Sequence, residues 1–265
     1  MNMKKNKLRY ILDNNLPSIA TRLESVWPTM VEIVGSTGLY DYIEFVGEYA
    51  PYNLSDFENI ARAAELHNMG SIIKVDFQNR AYVAQKALSS GFQGVLLVDH
   101  KTPEEVAESI HVLKPDRPQD GGRFGYPNSR WIGYQPHLPQ MEYAQMVKDS
   151  VILLMIEKKE AIENIEEICS IPGVDMVQFG PSDYSMSCGH NMSDYKDEFK
   201  AAERKMIETA LKHGVQPRCE IYSPKDAKYY MDLGVKHFCL GDELKIVDTY
   251  WKTAGSELKK LTDSI

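Results

Sequence analysis

The chain has 265 residues, of which 43% are hydrophobic and 26% charged, so it can bury a large core. Its net charge of -8 argues against a nucleic-acid binder, because contact with phosphates requires clustered Lys and Arg. The four cysteines are widely spaced, form no CxxC pair and are interpreted as reduced, mostly buried thiols (Cys169, Cys188, Cys219 and Cys239).

The first residues, MNMKKNKLRYIL, are basic, but the apolar stretch of a signal peptide does not follow them. No run approaches the ~18 apolar residues that a membrane span requires. We therefore expect a soluble, cytoplasmic protein with no membrane partner. We also expect one domain over residues 1–265, with an irregular loop insertion at about 115–139 that is rich in Pro, Gly, Arg and aromatic residues. This loop lies between the predicted fourth helix and fifth strand, so it should lie opposite the active-site rim unless it wraps back. It could be a substrate loop or an oligomer contact.

A helix, a glycine stop and a short apolar strand recur along the chain, as in KALSSG-FQGVLLVD and EEICSIPG-VDMVQFG. Glycine after a helix favours the left-handed position that ends it. Strands without polar alternation are typical of a parallel sheet that helices cover. The pairs Ser55/Glu58 and Thr102/Glu105 have capping-box spacing, and Ser223-Pro224 also predicts a helix start.

Eight strands are predicted, each followed by a helical pattern: Ser18–Leu23, Tyr42–Val46, Ser71–Val75, Gly94–Val98, Val151–Ile156, Met176–Phe179, Arg218–Ile221 and Lys236–Leu240. Eight βα units indicate an α/β fold of the (β/α)₈ barrel type. A doubly wound open sheet is the alternative, although no glycine-rich dinucleotide fingerprint follows any of the strands.

Polar residues follow the predicted strands, which is where a barrel of this kind places its chemistry. Glu157 and Asp183 follow two neighbouring strands that a helix joins, so both should emerge at the same edge. Carboxylates that share a site with water and substrate oxygens suit Mg²⁺ or Mn²⁺. The alternative is that each acid is only a helix cap or a solvated loop residue. The other rim residues are Arg22, Glu48, Tyr49, Lys74, Asp76, Asp99, His100, Glu220, Tyr222 and Asp242.

Several of these rim residues have more than one plausible role. Lys74 could neutralise a substrate anion or form a Schiff base, or it could simply pair with Asp76 or Glu48. Arg22 carries the same ambiguity. Tyr49 could donate a proton, but its ordinary pKa of about 10 makes it a poor base, and packing is the alternative. His100 and His137 could act as bases, but neither has an obvious partner in the sequence. His237 lies within a predicted strand and is expected in the core or facing a helix.

The stretch IEKKEAIENIEEICSIPGVDMVQFGPSDYS resembles the signature of the hydroxy-keto-acid aldolases, the family of 2,4-dihydroxyhept-2-ene-1,7-dioate aldolase and 2-dehydro-3-deoxyglucarate aldolase. The resemblance implies a (β/α)₈ barrel whose last helix is exchanged between subunits of a homo-oligomer, a trimer or hexamer. It implies a class II aldolase that cleaves or forms a 2-keto-4-hydroxy acid through a metal-bound pyruvate enolate. By resemblance, Glu157 and Asp183 are metal ligands, and backbone groups of Gly180, Pro181 and Ser182 hold the pyruvate carboxylate, with Arg22 as a further substrate-binding candidate.

The chain departs from the family pattern in the proton-transfer half of the site. Where the family reads Asp-Gly-Glu-His-Ala-Pro, this sequence has Val46-Gly47-Glu48-Tyr49-Ala50-Pro51, without the histidine base and its aspartate. Lys74 replaces the family arginine and Met155 replaces a glutamine. We therefore name Tyr49, Lys74 and Glu48 as the catalytic candidates.

Two other functions stay open on the sequence. One is a Schiff-base aldolase that uses Lys74, and the other is a barrel that lost the dyad and binds an acidic metabolite without turnover. Whether Arg123 or Arg130 of the irregular loop reaches the site of a neighbouring subunit is also open.

Overall fold

The computed structural model of the protein describes residues 5–126, 130–135 and 137–265. Eight parallel strands close into a barrel in chain order, with the last strand bonded to the first. They are β1 (Ser18–Leu23), β2 (Tyr42–Val46), β3 (Gly70–Val75), β4 (Gly94–Leu97), β5 (Val151–Ile156), β6 (Met176–Phe179), β7 (Gln216–Ile221) and β8 (His237–Asp242). The (β/α)₈ prediction is confirmed, and the open sheet is excluded because β1 pairs with both β2 and β8.

The helices surround this barrel and connect successive strands. Within the described residues they are α1 (Lys7–Asp13), α2 (Pro28–Ser36), α3 (Leu54–Leu66), α4 (Arg80–Ser90), α5 (Pro103–His111), α6 (Gln140–Lys148), α7 (Lys159–Glu163), α8 (Ile165–Ser170), α9 (Pro181–Ser187), α10 (Lys196–Lys212), α11 (Ala227–Asp232) and α12 (Glu243–Thr262). Across the described ranges, no helix is both long enough and apolar enough to span a membrane.

Local signals set most of these boundaries. Gly91 ends α4 with φ 116°, a conformation that costs glycine little because it has no Cβ. The Thr102/Glu105 capping box is present at α5, with the Thr102 hydroxyl accepting the Glu105 N–H. The Ser55/Glu58 prediction is wrong, because the N-cap of α3 is Asn53, two residues earlier, and its N–H donates to the Asp56 carboxylate at 2.7 Å. That segment holds two overlapping cap patterns, and the Asn53/Asp56 pattern is the one that forms.

Apolar residues fill the space between strands and helices, and a smaller cluster fills the lower barrel. Helix α1 closes the end of the barrel where the strands begin, with Leu8 packed among inward-facing strand residues. The Asn6 side chain donates to the carbonyl groups of Gln93 and Asp149, at 2.7 and 2.8 Å. No signal in the sequence predicted that α1 would cover this end. Because α1 covers it, the opposite end of the barrel is the open one.

A buried ion pair crosses the barrel interior. The Nη1 atom of Arg218 on β7 lies 2.5 Å from Oε2 of Glu44 on β2, and both side chains are almost fully buried. Arg218 also donates to the side chain of Gln178 on β6. Such a pair stabilises a barrel only while both charges remain, because removing one residue leaves the other charge buried without a partner or solvent.

The described part of the irregular loop lies at the end of the barrel where the strands begin. Arg130 lies 2.6 Å from Glu65 near the end of α3, and it also donates to the Ser90 carbonyl at the end of α4. Arg123 pairs with Glu108 of α5 at 3.2 Å. Both arginines therefore have partners within their own chain. Residues 127–129 and 136 of the loop lie outside the described residues.

Candidate active site

A cavity of about 770 Å³ opens at the carboxyl ends of the strands. That location is where barrels of this type place their chemistry. The sequence-predicted residues that line it are Arg22, Tyr49, Lys74, Glu157, Gly180, Pro181, Ser182 and Asp183. Glu48 touches this set through Lys74. The structure therefore brings the catalytic, substrate-binding and metal candidates together. Glu220 and Tyr222 of the predicted rim also line the cavity, whereas Asp76, Asp99, His100 and Asp242 do not.

Glu157 follows β5 and is the most deeply buried acid of the cavity, with 2% of its surface exposed. Its Oε1 atom accepts the Asp99 N–H at 3.0 Å. Burial raises the pKa of Glu157 to about 7, although Lys74 opposes the shift. A nearby cation would therefore strongly stabilise the ionised form of this buried carboxylate.

Gly180 allows Glu157 its position. A Cβ atom at residue 180 would lie 2.7 Å from both Cβ and Oε2 of Glu157, closer than real Cβ contacts come. Only glycine therefore lets the end of β6 approach this carboxylate. Asp183 lies in the first turn of α9, faces the same cavity, and its negative charge further raises the pKa of Glu157.

The donor atoms here fit a hard divalent cation. Glu157 and Asp183 supply the carboxylates that line the cavity, whereas Glu48 and Asp99 are paired with Lys74 and Lys158. Within the described ranges, no group of three or more His, Cys, Asp or Glu side chains converges as a preformed metal cage. Two carboxylates open to water and substrate oxygens suit Mg²⁺ or Mn²⁺ and do not suit structural zinc. The residues present thus fit the ion that the sequence suggests.

Lys74 is a buried cation one residue before the end of β3. Its Nζ atom lies 2.6 Å from Oε2 of Glu48, and only 6% of the Lys74 side chain is exposed. Burial alone would lower the pKa of Lys74, but the negative charges of Glu157 and Glu48 outweigh it and raise the pKa above the ordinary value. The charges of Glu157 and Glu48 together keep this amine protonated, and its ion-pair partner is Glu48 rather than Asp76. Asp76 instead accepts the backbone N–H of Asn79 at 2.8 Å.

Tyr49 stands at the mouth of the cavity with 61% of its surface exposed. Its ring centroid lies 5.0 Å from the Lys74 Nζ atom, a cation–π contact. Partial burial raises the pKa of Tyr49 to about 12, and the charge of Glu48 adds to the shift although Lys74 opposes it. The phenol therefore holds its proton at neutral pH, so it can donate a proton or a hydrogen bond but cannot act as a base.

Arg22 on β1 lines the opposite wall and has its charge balanced. Its guanidinium lies 3.1 Å from Glu220 and 3.2 Å from Asp242, on the two strands β7 and β8. The Tyr222 hydroxyl joins this network by donating to Glu220 at 2.7 Å. A substrate that contacts Arg22 must therefore compete with two carboxylates.

The described histidines do not supply the missing base. His100 is buried beneath the rim, where its Nε2 atom lies 2.7 Å from the Ser109 hydroxyl, and burial lowers its pKa to about 4. His237 lies in β8 and is buried beside Ser18, as expected for a core residue. His137 is exposed and does not line the cavity.

Comparison with known proteins bears on the identity of this cavity. The model of the HpcH/HpaI aldolase/citrate lyase family matches residues 23–246. The chain belongs to that family. A curated 5-keto-4-deoxy-D-glucarate aldolase of Citrobacter koseri is 26% identical over 235 residues, covering 88% of each chain. Membership identifies the chain as an enzyme of the aldolase/lyase type.

Solved structures agree on the fold of this aldolase/lyase. The crystal structure of citrate synthase SbnG superposes with a TM-score of 0.85 at 22% identity, covering 98% of this chain and 100% of that one. A more distant likeness is a citrate lyase β subunit from M. tuberculosis complexed with oxaloacetate and magnesium, with a TM-score of 0.56 at 12% identity, covering 87% and 93%.

One wall of the cavity was not predicted from the sequence. Helix α10 and its surroundings contribute the cavity residues Met192, Ser193, Lys196, Phe199, Lys200, Glu203 and Tyr230. The α10 members follow helical spacing, which marks one face of the helix. Periodicity cannot say that this face borders the cavity, because that depends on where the loop after α9 leads.

Proposed function

We propose that the protein is a divalent-metal-dependent carbon–carbon lyase that cleaves or forms a 2-keto-4-hydroxy acid. The observation that carries this proposal is the pair Glu157 and Asp183, which follow the adjacent strands β5 and β6 and line one cavity. The family, which joins aldolases with citrate lyases, supports the class of reaction. The name of the Citrobacter koseri relative supports a keto-sugar acid as the type of substrate.

Glu157 and Asp183 would hold the ion, with Mg²⁺ or Mn²⁺ preferred for their oxygen donors. Such an ion would stabilise the negative charge that develops on the keto oxygen when the carbon–carbon bond breaks. The magnesium found with oxaloacetate in the M. tuberculosis citrate lyase β subunit supports this choice.

Lys74 supplies a second positive charge beside the same carboxylates. Because Glu48 fixes its Nζ atom at 2.6 Å, the ammonium group is oriented before substrate arrives. A preorganised charge of this kind stabilises a developing oxyanion without moving in the reaction. It does so as a point charge, without the planar fork of an arginine.

The substrate carboxylate would lie against the Gly180-Pro181-Ser182 turn. The N–H groups of Ser182 and Asp183 stand in the first turn of α9, where helical geometry provides no acceptor for them. Pro181 has no N–H group, so it contributes only shape. Arg22 lies across the cavity and could contact the far end of the substrate. To do so, its guanidinium would exchange part of its contact with Glu220 and Asp242 for the substrate.

Tyr49 would act as a hydrogen-bond donor at the cavity mouth. Its raised pKa, about 12, leaves the phenol protonated throughout the neutral range. It can therefore orient a substrate oxygen or deliver a proton, but it cannot take the role of a neutral-pH base.

The test is lyase activity on a panel of hydroxy-keto acids with Mg²⁺ or Mn²⁺, with and without a chelator. We expect activity to vanish in chelator and to fall by about 100-fold or more in Glu157→Gln, because one ligand of two is lost. Glu160→Gln is the matched control, since Glu160 is exposed, lies on α7 and pairs with Lys101 instead.

Full activity in chelator, or in Glu157→Gln, would show that the metal assignment is wrong. Metal affinity that persists without turnover on the whole panel would favour the non-catalytic metabolite-binding barrel. The absence of a histidine among the described residues that line the cavity is the observation that keeps this second function in view.

A further inference from the structure

Asp99 has an unusual backbone conformation where β4 ends. Its φ is 63°, in the left-handed region that residues with a Cβ seldom enter. Asp and Asn tolerate this region better than other side chains, and β-branched residues tolerate it least. Such a conformation persists only where the surroundings over-determine it, and it concentrates at functional sites.

The surroundings of Asp99 are the two residues that follow β5. Its backbone N–H donates to Oε1 of Glu157 at 3.0 Å. Its carboxylate lies 2.6 Å from the Nζ atom of Lys158, whose side chain is 15% exposed. We call these three residues the Asp99 clamp. It joins the ends of two adjacent strands by one backbone bond and one ion pair.

The clamp fixes which oxygen of Glu157 faces the cavity. Oε1 is engaged by the Asp99 N–H, so Oε2 is left on the side of Gly180, where a Cβ atom would lie 2.7 Å from it. The side chain cannot turn without losing a buried hydrogen bond, which is costly for a carboxylate with 2% of its surface exposed.

We propose that Asp99 is a positioning residue that presets the Glu157 carboxylate for cation binding. The inference rests on the proposed function, because it assumes that Glu157 holds a divalent ion. Partners that orient a metal ligand commonly change affinity 10- to 100-fold, in order of magnitude, when they are removed.

Two parts of the clamp can be separated by substitution. The ion pair with Lys158 is partly exposed, and exposed pairs contribute little. The hydrogen bond from the Asp99 N–H to Glu157 depends on the left-handed backbone conformation of Asp99 and not on its side chain. Asp99→Asn should therefore keep the geometry, whereas Asp99→Val, being β-branched, should force the backbone away and withdraw the N–H from Glu157.

The experiment is Mn²⁺ binding by calorimetry on the full-length protein, with the fold of each variant checked by circular dichroism. We expect Asp99→Val to bind about 10- to 100-fold more weakly and Asp99→Asn to stay within about threefold of the wild type. Asn68→Val is the matched control. Asn68 has a φ of 55° but lies between α3 and β3, at the opposite end of the barrel, so the same strain should leave Mn²⁺ affinity unchanged. Wild-type affinity in Asp99→Val overturns the proposal, as does an equal loss in Asn68→Val.

A second measurement does not depend on the metal. Hydrogen exchange in metal-free protein should find the Asp99 amide protected in the wild type and about tenfold or more faster in Glu157→Ala, because its acceptor is gone. Equal exchange in the two proteins overturns the clamp. If the wild type binds no Mn²⁺ but the amide result holds, the metal role of the proposed function fails while Glu157 positioning by Asp99 stands.

Discussion

The Nζ atom of Lys74 lies 2.6 Å from Oε2 of Glu48, and both side chains are buried at the ends of β3 and β2. Glu48 directly precedes Tyr49 in the sequence. The charges of Glu157 and Glu48 raise the pKa of Lys74, so its amine has no free lone pair at neutral pH. The geometry thus favours an electrostatic role for Lys74 over a nucleophilic one.

Borohydride trapping with pyruvate is therefore expected to give no adduct at Lys74. Lys74→Arg should keep activity within about tenfold, because the charge is retained, while Lys74→Met should lose about 100-fold or more of kcat/KM. Intact-protein mass spectrometry and steady-state kinetics give these results. A mass increase that maps to Lys74, together with an inactive Lys74→Arg, would establish the Schiff-base alternative.

Gly180→Ala should abolish the binding of metal and keto acid while leaving the barrel folded. The added Cβ would come within 2.7 Å of Glu157, and the carboxylate would have to leave its place. Calorimetry with Mn²⁺ and a melting curve would measure the two effects. Gly255→Ala is the control, since a Cβ there meets no atom within 4 Å and the residue lies in α12. Unchanged affinity in Gly180→Ala would contradict the tight approach.

Tyr49→Phe should lower lyase activity by about tenfold or less, because the phenol donates a hydrogen bond and does not accept the proton. Its pKa of about 12 also means that no ionisation of Tyr49 falls within the working pH range. The pH dependence of kcat/KM should therefore keep its shape in Tyr49→Phe. Loss of one limb of that profile would assign Tyr49 the role of base.

His237 is expected to make the fold sensitive to acid. Burial lowers its pKa to about 4, whereas an unfolded histidine titrates near 6.5. Neutral His237 therefore does not lower the free energy of unfolding above about pH 6.5. As the pH falls from 6.5 toward 4, the unfolded chain binds a proton that the folded chain does not, and the free energy of unfolding decreases. The loss is about 3 kcal/mol in order of magnitude. Urea unfolding at a series of pH values should show a shallower dependence in His237→Gln; equal slopes would contradict it.

Helix α12 exposes an apolar face, and we expect it to lie in a subunit interface of a trimer or hexamer. Trp251, Leu258 and Leu261 are 70%, 62% and 67% exposed. Exposed apolar patches of this kind mark association surfaces. Light scattering should show the oligomer for the wild type and smaller species for Leu258→Glu/Leu261→Glu. Lys252→Ala, on the same helix, should not change the mass. A monomeric wild type would refute the expectation.

The barrel could be predicted from the amino-acid sequence, because the signals for its parts are local. Glycine stops such as Gly91 and short apolar runs mark each βα unit, and eight such units without a dinucleotide fingerprint favour a closed barrel over an open sheet. Local order also places Glu157 and Asp183 on the rim, since parallel strands joined by a helix end at the same edge. The errors were small, such as the start of α3.

The interactions among the rim residues became visible only in three dimensions. The Lys74–Glu48 pair, the Asp99 bond to Glu157, and the α10 wall of the cavity all join residues on different elements. The same holds for Arg218 and Glu44, two charges placed inside strands that the sequence pattern treated as apolar. Such pairings depend on barrel closure and on the direction of each side chain. Local periodicity predicts neither barrel closure nor side-chain direction. It depends on residues close together in the chain, whereas these contacts join residues that are distant in the chain and close only across the barrel.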